Sequence, residues 1–188
     1  GLSASYRLAN DIDLKYYPFS PIGNINTGQH FSGSLDGNGY SITNAEINGG
    51  GWVGFFGTCK DCTIKNLYLK DISVTASSDY AGGLAGYLIG GTITNCAVTG
   101  KVVANGNAST NYGGLVGLTS GDATSTKVQI SNCYVDVYLE PSLGGAAGLV
   151  GVTAMPTEIN HCIVNGHLLS SNRAAAAVAI SKSAGVSI

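Results

Sequence analysis

A short motif bracketed by glycines recurs four times along the 188-residue chain, and this recurrence limits the folds that the chain can adopt. The copies are Val53-Gly54-Phe55-Phe56-Gly57, Gly82-Gly83-Leu84-Ala85-Gly86, Gly113-Gly114-Leu115-Val116-Gly117 and Ala147-Gly148-Leu149-Val150-Gly151. The spacings between Gly54, Gly83, Gly114 and Gly148 are 29, 31 and 34 residues, and Ala177-Val178-Ala179-Ile180 is a degenerate fifth copy. A period near 30 residues predicts stacked structural repeats.

A second pattern keeps the same period and has an asparagine at its centre. It occupies residues 41–47, 63–69, 92–98, 129–135 and 158–164. Apolar and polar side chains alternate on both sides of the central residue, but the phase of the alternation changes there. Because asparagine tolerates a left-handed backbone, the pattern predicts two short strands that meet at a corner. Stacked corners would form an asparagine ladder of Asn44, Asn66, Asn95 and Asn132, with His161 in the last copy.

Together the patterns predict an all-β fold, a right-handed parallel β-helix (solenoid) of about five coils with an N-terminal cap segment. One repeat is too small to bury its apolar face, whereas stacked copies pair their strands and share an interior. Parallel crossovers are right-handed in nearly all proteins. We expect the motif glycines to allow close backbone approach, and Leu84, Leu115 and Leu149 to fill the interior.

The length of the chain predicts one domain over residues 1–188. Within it, residues 1–28 are predicted to form the cap and lead-in, 29–57 the first coil, 58–180 the glycine-motif repeats and 181–188 the C-terminal end. Residues 104–111 and 119–127 are predicted to protrude as side loops.

Three features resemble the GLUG-motif repeat family: the segment Tyr6–Leu14, the segment Phe31–Ile42 with its Leu35-Asp36-Gly37-Asn38-Gly39 core, and the recurring glycine motif. That family is found on bacterial and archaeal surfaces, in adhesin-like proteins and beside the catalytic domains of some IgA-cleaving metallopeptidases. The resemblance covers nearly the whole chain and implies a surface or secreted β-helical module with no catalytic residues to carry over. Phe55-Phe56, Ala85 and residues 177–180 depart from the motif.

Composition and charge disfavour several partners. The net charge is -2, and the nine Lys and Arg residues are spread singly, so no basic patch is predicted for nucleic acid or an anionic membrane. No segment approaches the roughly 18 to 20 consecutive apolar residues of a membrane span. The chain starts at Gly1 with no signal-like segment, so we expect a trimmed piece of a longer exported protein, extracellular or on the cell surface.

The five cysteines favour structural roles over metal binding, and no cofactor is predicted. Cys96, Cys133 and Cys162 share one repeat position and are expected to face inward as small apolar residues. Cys59 and Cys62 form a CxxC pair, which predicts either a local disulfide or two free thiols. His161 and His167 lie near Cys162, but a second spaced ligand pair is missing, so zinc is disfavoured.

Carboxylates offer only a weak case for catalysis. β-Helices host glycosidases and lyases, and the candidates here are Asp11 and Asp13 in the predicted cap and Asp36 in a turn. Asp136 and Glu140 have no aligned acidic partner in neighbouring repeats, and the chain has no HExxH segment.

A binding surface is the more specific expectation. Tyr68, Ala97, Tyr134 and Ile163 share the position after an inward residue, so alternation points them out of one wall. Trp52 and Tyr112 hold equivalent positions before the glycine motif and are expected to point outward as well. Such a stripe could be covered by side loops or a neighbouring domain, or it could contact a glycan or a protein. Asn107-Ala108-Ser109 also fits a glycosylation sequon.

The sequence therefore favours a non-catalytic adhesion or scaffold module whose partner is a host or microbial glycan or a surface protein. A carbohydrate-active β-helix enzyme and a purely structural stalk are the alternatives.

Overall fold

The glycine motifs stack directly on one another in the computed structural model. The model describes residues 1–77, 79–105, 111–121, 124–169, 173–181 and 186–187. Successive copies are joined by backbone hydrogen bonds, from the N–H of Leu84 to the carbonyl of Leu115 (2.9 Å) and from the N–H of Leu115 to that of Leu149 (3.1 Å). The chain is therefore an all-β parallel solenoid of about five turns, as the repeat predicted.

The strands of the first half are β1 (Ser5–Arg7), β2 (Ile12–Asp13), β3 (Ser34–Asp36), β4 (Ser41–Thr43), β5 (Glu46–Gly49), β6 (Phe56–Lys65), β7 (Tyr68–Ala76), β8 (Ala85–Thr94) and β9 (Ala97–Ala104). Those of the second half are β10 (Asn111–Gly113), β11 (Val116–Ser120), β12 (Val128–Ser131), β13 (Tyr134–Pro141), β14 (Gly145–Ala147), β15 (Val150–Thr153), β16 (Thr157–Asn160), β17 (Ile163–Val164), β18 (His167–Leu168), β19 (Arg173–Ala175), β20 (Val178–Ser181) and β21 (Val186–Ser187). A single 3₁₀ turn, Ile25–Thr27, is the helical element of the described residues, and no helix among them has the length and apolar character needed to cross a membrane.

Three parallel sheets form the walls of the solenoid. The first wall has the order β1-β3-β6-β8-β11-β15-β20. In the same sheet, β12 pairs with β8 and β16, and β16 pairs with β21. The second wall has the order β17-β13-β9-β7-β4-β2, with β18 paired to β13 and β5 to β7. The third wall is β10-β14-β19. Matching residues of successive repeats thus lie one above the other on each wall.

The motif leucines fill the interior and the motif glycines allow the backbones to approach. Leu84 and Leu115 are fully buried and Leu149 is 3% exposed, in one core cluster. A Cβ atom at Gly83 would lie 2.6 Å from the carbonyl oxygen of Gly114, and one at Gly114 would lie 2.4 Å from that of Gly148. No side chain fits at these distances, which explains why the motif keeps glycine there. Comparable backbone contacts surround Gly54, Gly57, Gly86, Gly117, Gly148 and Gly151.

Asparagines with a left-handed backbone turn the chain from the first wall to the second. The same corner on successive turns of the solenoid, which we call rungs, is occupied by Asn66, Asn95, Asn132 and His161. Their φ angles lie between 52° and 54°. The Asn95 side-chain amide donates to Asn66 Oδ1 (2.7 Å), and the Asn66 amide donates to Asp36 Oδ1 (2.9 Å). The corner is therefore linked from rung to rung by side chains.

Asn44 does not belong to this corner, contrary to the sequence alignment. Strand β4 pairs with the start of β7, so Asn44 lies beside Lys70 and Asp71, in the middle of the second wall. Its φ is 58°, its neighbour Asp71 has φ 53°, and its amide donates to Asp13 Oδ1 (2.9 Å). Residues 37–39 lie next to Asn66 and form the corner of the preceding rung. Asn44 therefore bends a different part of that rung.

The N-terminal segment is itself built as a rung. β1 pairs with β3 through Tyr6 and Leu35, and β2 pairs with β4 through Ile12 and Ile42. Each residue of β1 and β2 is exposed, since these strands have a neighbour on one side only.

One long side loop leaves the first wall and returns at almost the same place. β11 ends with Ser120 opposite Ile89, and β12 begins with Val128 opposite Gly91. Seven residues, 121–127, therefore correspond to the single residue Gly90 of the preceding rung. Asp61 Oδ1 accepts hydrogen bonds from the N–H (2.5 Å) and the hydroxyl (2.8 Å) of Thr126, which tie the loop to the wall.

Candidate binding surface on the second wall

The predicted outward stripe lies in register on the second wall. Tyr68 pairs with Ser41 and with Ala97, Ala97 pairs with Tyr134, and Tyr134 pairs with Ile163. Tyr134 is 36% exposed and Ile163 62%, while Tyr68 and Ala97 are half-buried. Exposure in this column therefore increases towards the C-terminal rungs.

Tyr134 belongs to a small polar network on the outer face. Its hydroxyl donates to Asp136 Oδ2 (3.1 Å), and the side-chain amide of Asn165 donates to the same carboxylate oxygen (3.3 Å). The amide also lies 3.5 Å from the Tyr134 hydroxyl. The network fixes a ring, a carboxylate and an amide side by side on an exposed surface.

A shallow groove, with a volume of about 420 Å³, adjoins this network. Asp136 and Asn165 line it together with Tyr138 and His167, whose rings are 6.3 Å apart. Gly100 and Gly166 also line it, and a Cβ at either would lie within 2.4 Å of a backbone carbonyl oxygen. We call this site the C-terminal groove. Sequence reasoning missed Tyr138 and His167, although Tyr138 has the same outward parity as Tyr134.

A second groove, of about 620 Å³, opens at the other end of the same wall. Tyr16 and Tyr17, which are 91% and 67% exposed, line it opposite Glu46, Asp71 and Ser73. We call this site the N-terminal groove. No periodic pattern in the sequence predicts this groove, because Tyr16 and Tyr17 lie in a non-repeating connection between β2 and the next rung.

Tyr112 and Trp52 do not join the exposed stripe, and for Tyr112 the prediction of an outward side chain is wrong. Tyr112 is fully buried in the third wall, where it pairs with Ala146. Alanine on the adjacent rung leaves space for the ring inside the core. Trp52 is half-buried and stacks on Tyr87 of the first wall, with ring centroids 5.6 Å apart.

The candidate catalytic carboxylates of Asp11, Asp13 and Asp36 accept hydrogen bonds from neighbouring rungs. The amide of Asn66 and the N–H of Asn38 donate to Asp36, and with Lys65 and Arg7 nearby they hold the pKa of that carboxyl below its usual value. The Asn44 amide and the Lys15 N–H likewise lower the pKa of Asp13. Asp11 accepts the N–H of Ser41 (2.7 Å). Both lowered pKa values favour the ionised carboxylate, which is unsuited to act as a general acid.

The five cysteines are free thiols, and four of them are buried. Cys59 and Cys62 would point to opposite faces of a regular strand, but Asp61 between them has φ 50° and resets the alternation. Both thiols consequently face the core.

Within the described residues, no group of three or more His, Cys, Asp or Glu side chains could hold a metal ion. The sequon at residues 107–109 lies outside the described part of the chain.

The stacked rungs, the glycine-lined contacts and the asparagine corner define a repeat protein of the parallel β-solenoid class. Residues 77–103, which include Gly82 to Gly86, match the family model of the GLUG motif. The resemblance inferred from the sequence is confirmed there.

Two known proteins are similar over much of the chain. Halomucin from Haloquadratum walsbyi is 35% identical over an alignment of 136 residues, and the match covers 65% of this chain and 1% of Halomucin. The crystal structure of a proposed immunoglobulin A1 protease from Bacteroides ovatus superposes with a TM-score of 0.74 at 23% identity, over 97% of this chain and 57% of that one. This second likeness concerns the fold. The chain thus spans only part of either relative.

Proposed function

We propose that the chain is a non-catalytic surface or secreted adhesion module whose second wall binds a glycan. The observation that carries the proposal is the C-terminal groove, where Tyr138 presents ring surface beside the hydrogen-bonding groups of Asp136 and Asn165, with Tyr134 adjoining the groove through its bond to Asp136. Sugars offer both an apolar C–H face for an aromatic ring and hydroxyls for a carboxylate or amide.

The pattern of the wall favours a glycan over a protein as the ligand. Its exposed apolar side chains do not form one continuous patch, because Thr99 and Asp136 pair in register between the columns of Tyr134 and Tyr138. A stable protein interface needs a desolvated apolar centre, which this arrangement does not offer.

A surface or extracellular location supports the same role. The likeness to Halomucin, whose name marks a mucin-like protein, fits a module exposed outside the cell. The small share of Halomucin that is matched fits one module among many in a longer chain. The role of the Bacteroides relative in proteolysis is not carried over, since that likeness is one of fold.

A glycan array tests the proposal, with bound hits remeasured by calorimetry. Replacing Tyr134 or Tyr138 with alanine should weaken binding about fivefold or more, since stacking of one aromatic ring is worth on the order of 1 kcal/mol or above. Leu143→Ala is the matched control, because Leu143 is a 49% exposed apolar residue outside the groove. Binding that is equally strong in all three variants would refute the site.

The same preparation separates the alternatives. A carbohydrate-active enzyme would release shorter products from the bound polysaccharide, which chromatography detects, whereas an adhesion module would return it unchanged. A structural stalk would bind nothing on the array.

A further inference from the structure

The two grooves are connected by one column of outward side chains. Glu46 pairs with Ser73, Ser73 with Lys101, Lys101 with Tyr138, and Tyr138 with His167. Glu46 and Ser73 line the N-terminal groove, and Tyr138 and His167 line the C-terminal groove. Four steps between rungs, each of about 4.8 Å, place the ends of this column about 19 Å apart.

The backbone that carries the two tyrosines of the N-terminal groove is held by hydrogen bonds, although the tyrosine side chains are exposed. The Lys15 N–H bonds to Asp13 Oδ1 and the Tyr17 N–H to the Leu14 carbonyl, both at 2.9 Å. Phe19 then anchors the connection by stacking on Phe55 at 4.6 Å. Tyr16 adopts φ 70°, which a bulky side chain rarely does. Strained backbone conformations cluster at ligand-contacting sites, so the φ of the 91% exposed Tyr16 favours a contact with a ligand.

The centre of the column leaves room for a ligand. Between Ser73, which is short and lines the N-terminal groove, and Tyr138 in the C-terminal groove, the column holds Lys101, whose exposed amino group can donate hydrogen bonds. No aromatic or branched apolar side chain interrupts the column there.

We infer that the two grooves are subsites of one track that binds a linear polysaccharide running across the rungs. This inference rests on the proposed glycan-binding function and extends it to the class of ligand, a chain of several sugar units. A short saccharide fills one groove, whereas a longer one engages both and gains affinity because its second contact is intramolecular.

Chain length is the direct test. The probes are the disaccharides and hexasaccharides of the cellulose, chitin, xylan and mannan series, measured by isothermal titration calorimetry on the whole chain. In the series that binds, the hexasaccharide should bind at least about 30-fold more tightly than the disaccharide. Tyr17→Ala should remove most of this gain and leave disaccharide binding in the C-terminal groove unchanged, whereas Tyr138→Ala should weaken both.

A matched pair of substitutions on β9 tests the path between the grooves. Lys101→Leu places a branched apolar side chain on the track, whereas Val103→Leu places it in the next outward column, with Thr75 and Glu140. The first should weaken hexasaccharide binding and the second should not, with thermal melting confirming that both variants fold.

The outcomes separate the two proposals. If saccharides bind but length and Tyr17→Ala have no effect, the track is refuted and the single site stands. If no saccharide binds, or only an extended peptide does, the glycan-binding function and the track fail together.

Discussion

The thiols of Cys96, Cys133 and Cys162 stack on successive rungs, and this contact controls their ionisation. The hydrogen bond with Cys162 lowers the pKa of Cys133, but its bond to Cys96, together with burial and the charge of Cys96, outweighs that effect and raises the pKa from 9.0 to about 12. The bond to Cys133 and burial raise the pKa of Cys162, and burial raises that of Cys59. The thiols of Cys133, Cys162 and Cys59 therefore stay protonated in the folded protein, whereas the hydrogen bond with Cys133 lowers the pKa of Cys96.

Alkaline pH should consequently destabilise the fold. In the unfolded chain Cys133 ionises near pH 9, but in the folded protein only near pH 12, so its contribution is complete below pH 9 and is lost as pH rises through 12. The Cys133 thiol should reduce the free energy of unfolding by about 1.4 kcal/mol per pH unit in that window. Urea unfolding at pH 8, 9, 10 and 11 measures the slope. A Cys133→Ala variant with the same slope as the parent would contradict this origin.

Gly114 is the most instructive glycine to replace. A valine there meets the carbonyl oxygen of Gly148 and the methyls of Val135 and Val137, all within 2.8 Å, so overpacking should cost about 3 kcal/mol or more. The control is Gly39→Asn, since Gly39 has φ 82° with no atom near a Cβ, and asparagine accepts that backbone. Denaturant unfolding should separate the two variants. Equal stability would show that the stack can expand at this position.

At the element scale, the asparagine corner should depend more on backbone conformation than on its side-chain bonds. Asn95 has φ 52° and an exposed amide bonded to Asn66. Asn95→Ala loses the bond and strains the backbone, for a total of about 1 to 2 kcal/mol, whereas Asn95→Gly loses only the bond. We expect the glycine variant to be the more stable of the two in thermal melts. The reverse order would assign the corner to the side-chain ladder.

Periodicity predicted the elements well where each rung repeats the last one. The inward leucines and the Asn66, Asn95 and Asn132 corner follow from spacing alone, because stacking makes equal positions equivalent. Asn44 was misplaced because its Ile-Thr-Asn context copies the corner pattern, while its register depends on pairing with Lys70 that no local rule reveals. Tyr112 was misplaced because its burial depends on small neighbours in adjacent rungs, which only the three-dimensional register identifies.

For the whole molecule, stability should increase from the N-terminal rung to the middle of the stack. Strands β8 and β9 have a paired neighbour on both sides, whereas β1 and β2 have one, and each of their residues is exposed. Hydrogen exchange should therefore protect the amides of Ile93 and Val98 for far longer than those of Tyr6 and Ile12. Uniform protection from one end to the other would instead indicate a single cooperative unit.

The residues that line the two grooves could not be predicted from the sequence, and the reason lies in the stacking of the whole chain. The two grooves combine residues from rungs far apart in the chain with a non-repeating turn, Lys15 to Tyr17, so no periodic pattern marks them. Repetition encodes the scaffold, whereas the sites depend on departures from repetition.

The excursion of residues 121–127 has a practical consequence. Because Ser120 and Val128 lie opposite residues 89 and 91, the entry and exit points are only about 7 Å apart, two residues of extended chain. The pairing of β11 and β12 with β8 does not depend on the length of the segment that joins Ser120 to Val128. A foreign peptide whose own ends lie that close could replace the excursion without shifting a neighbouring strand, which would make the protein a rigid carrier for displaying epitopes.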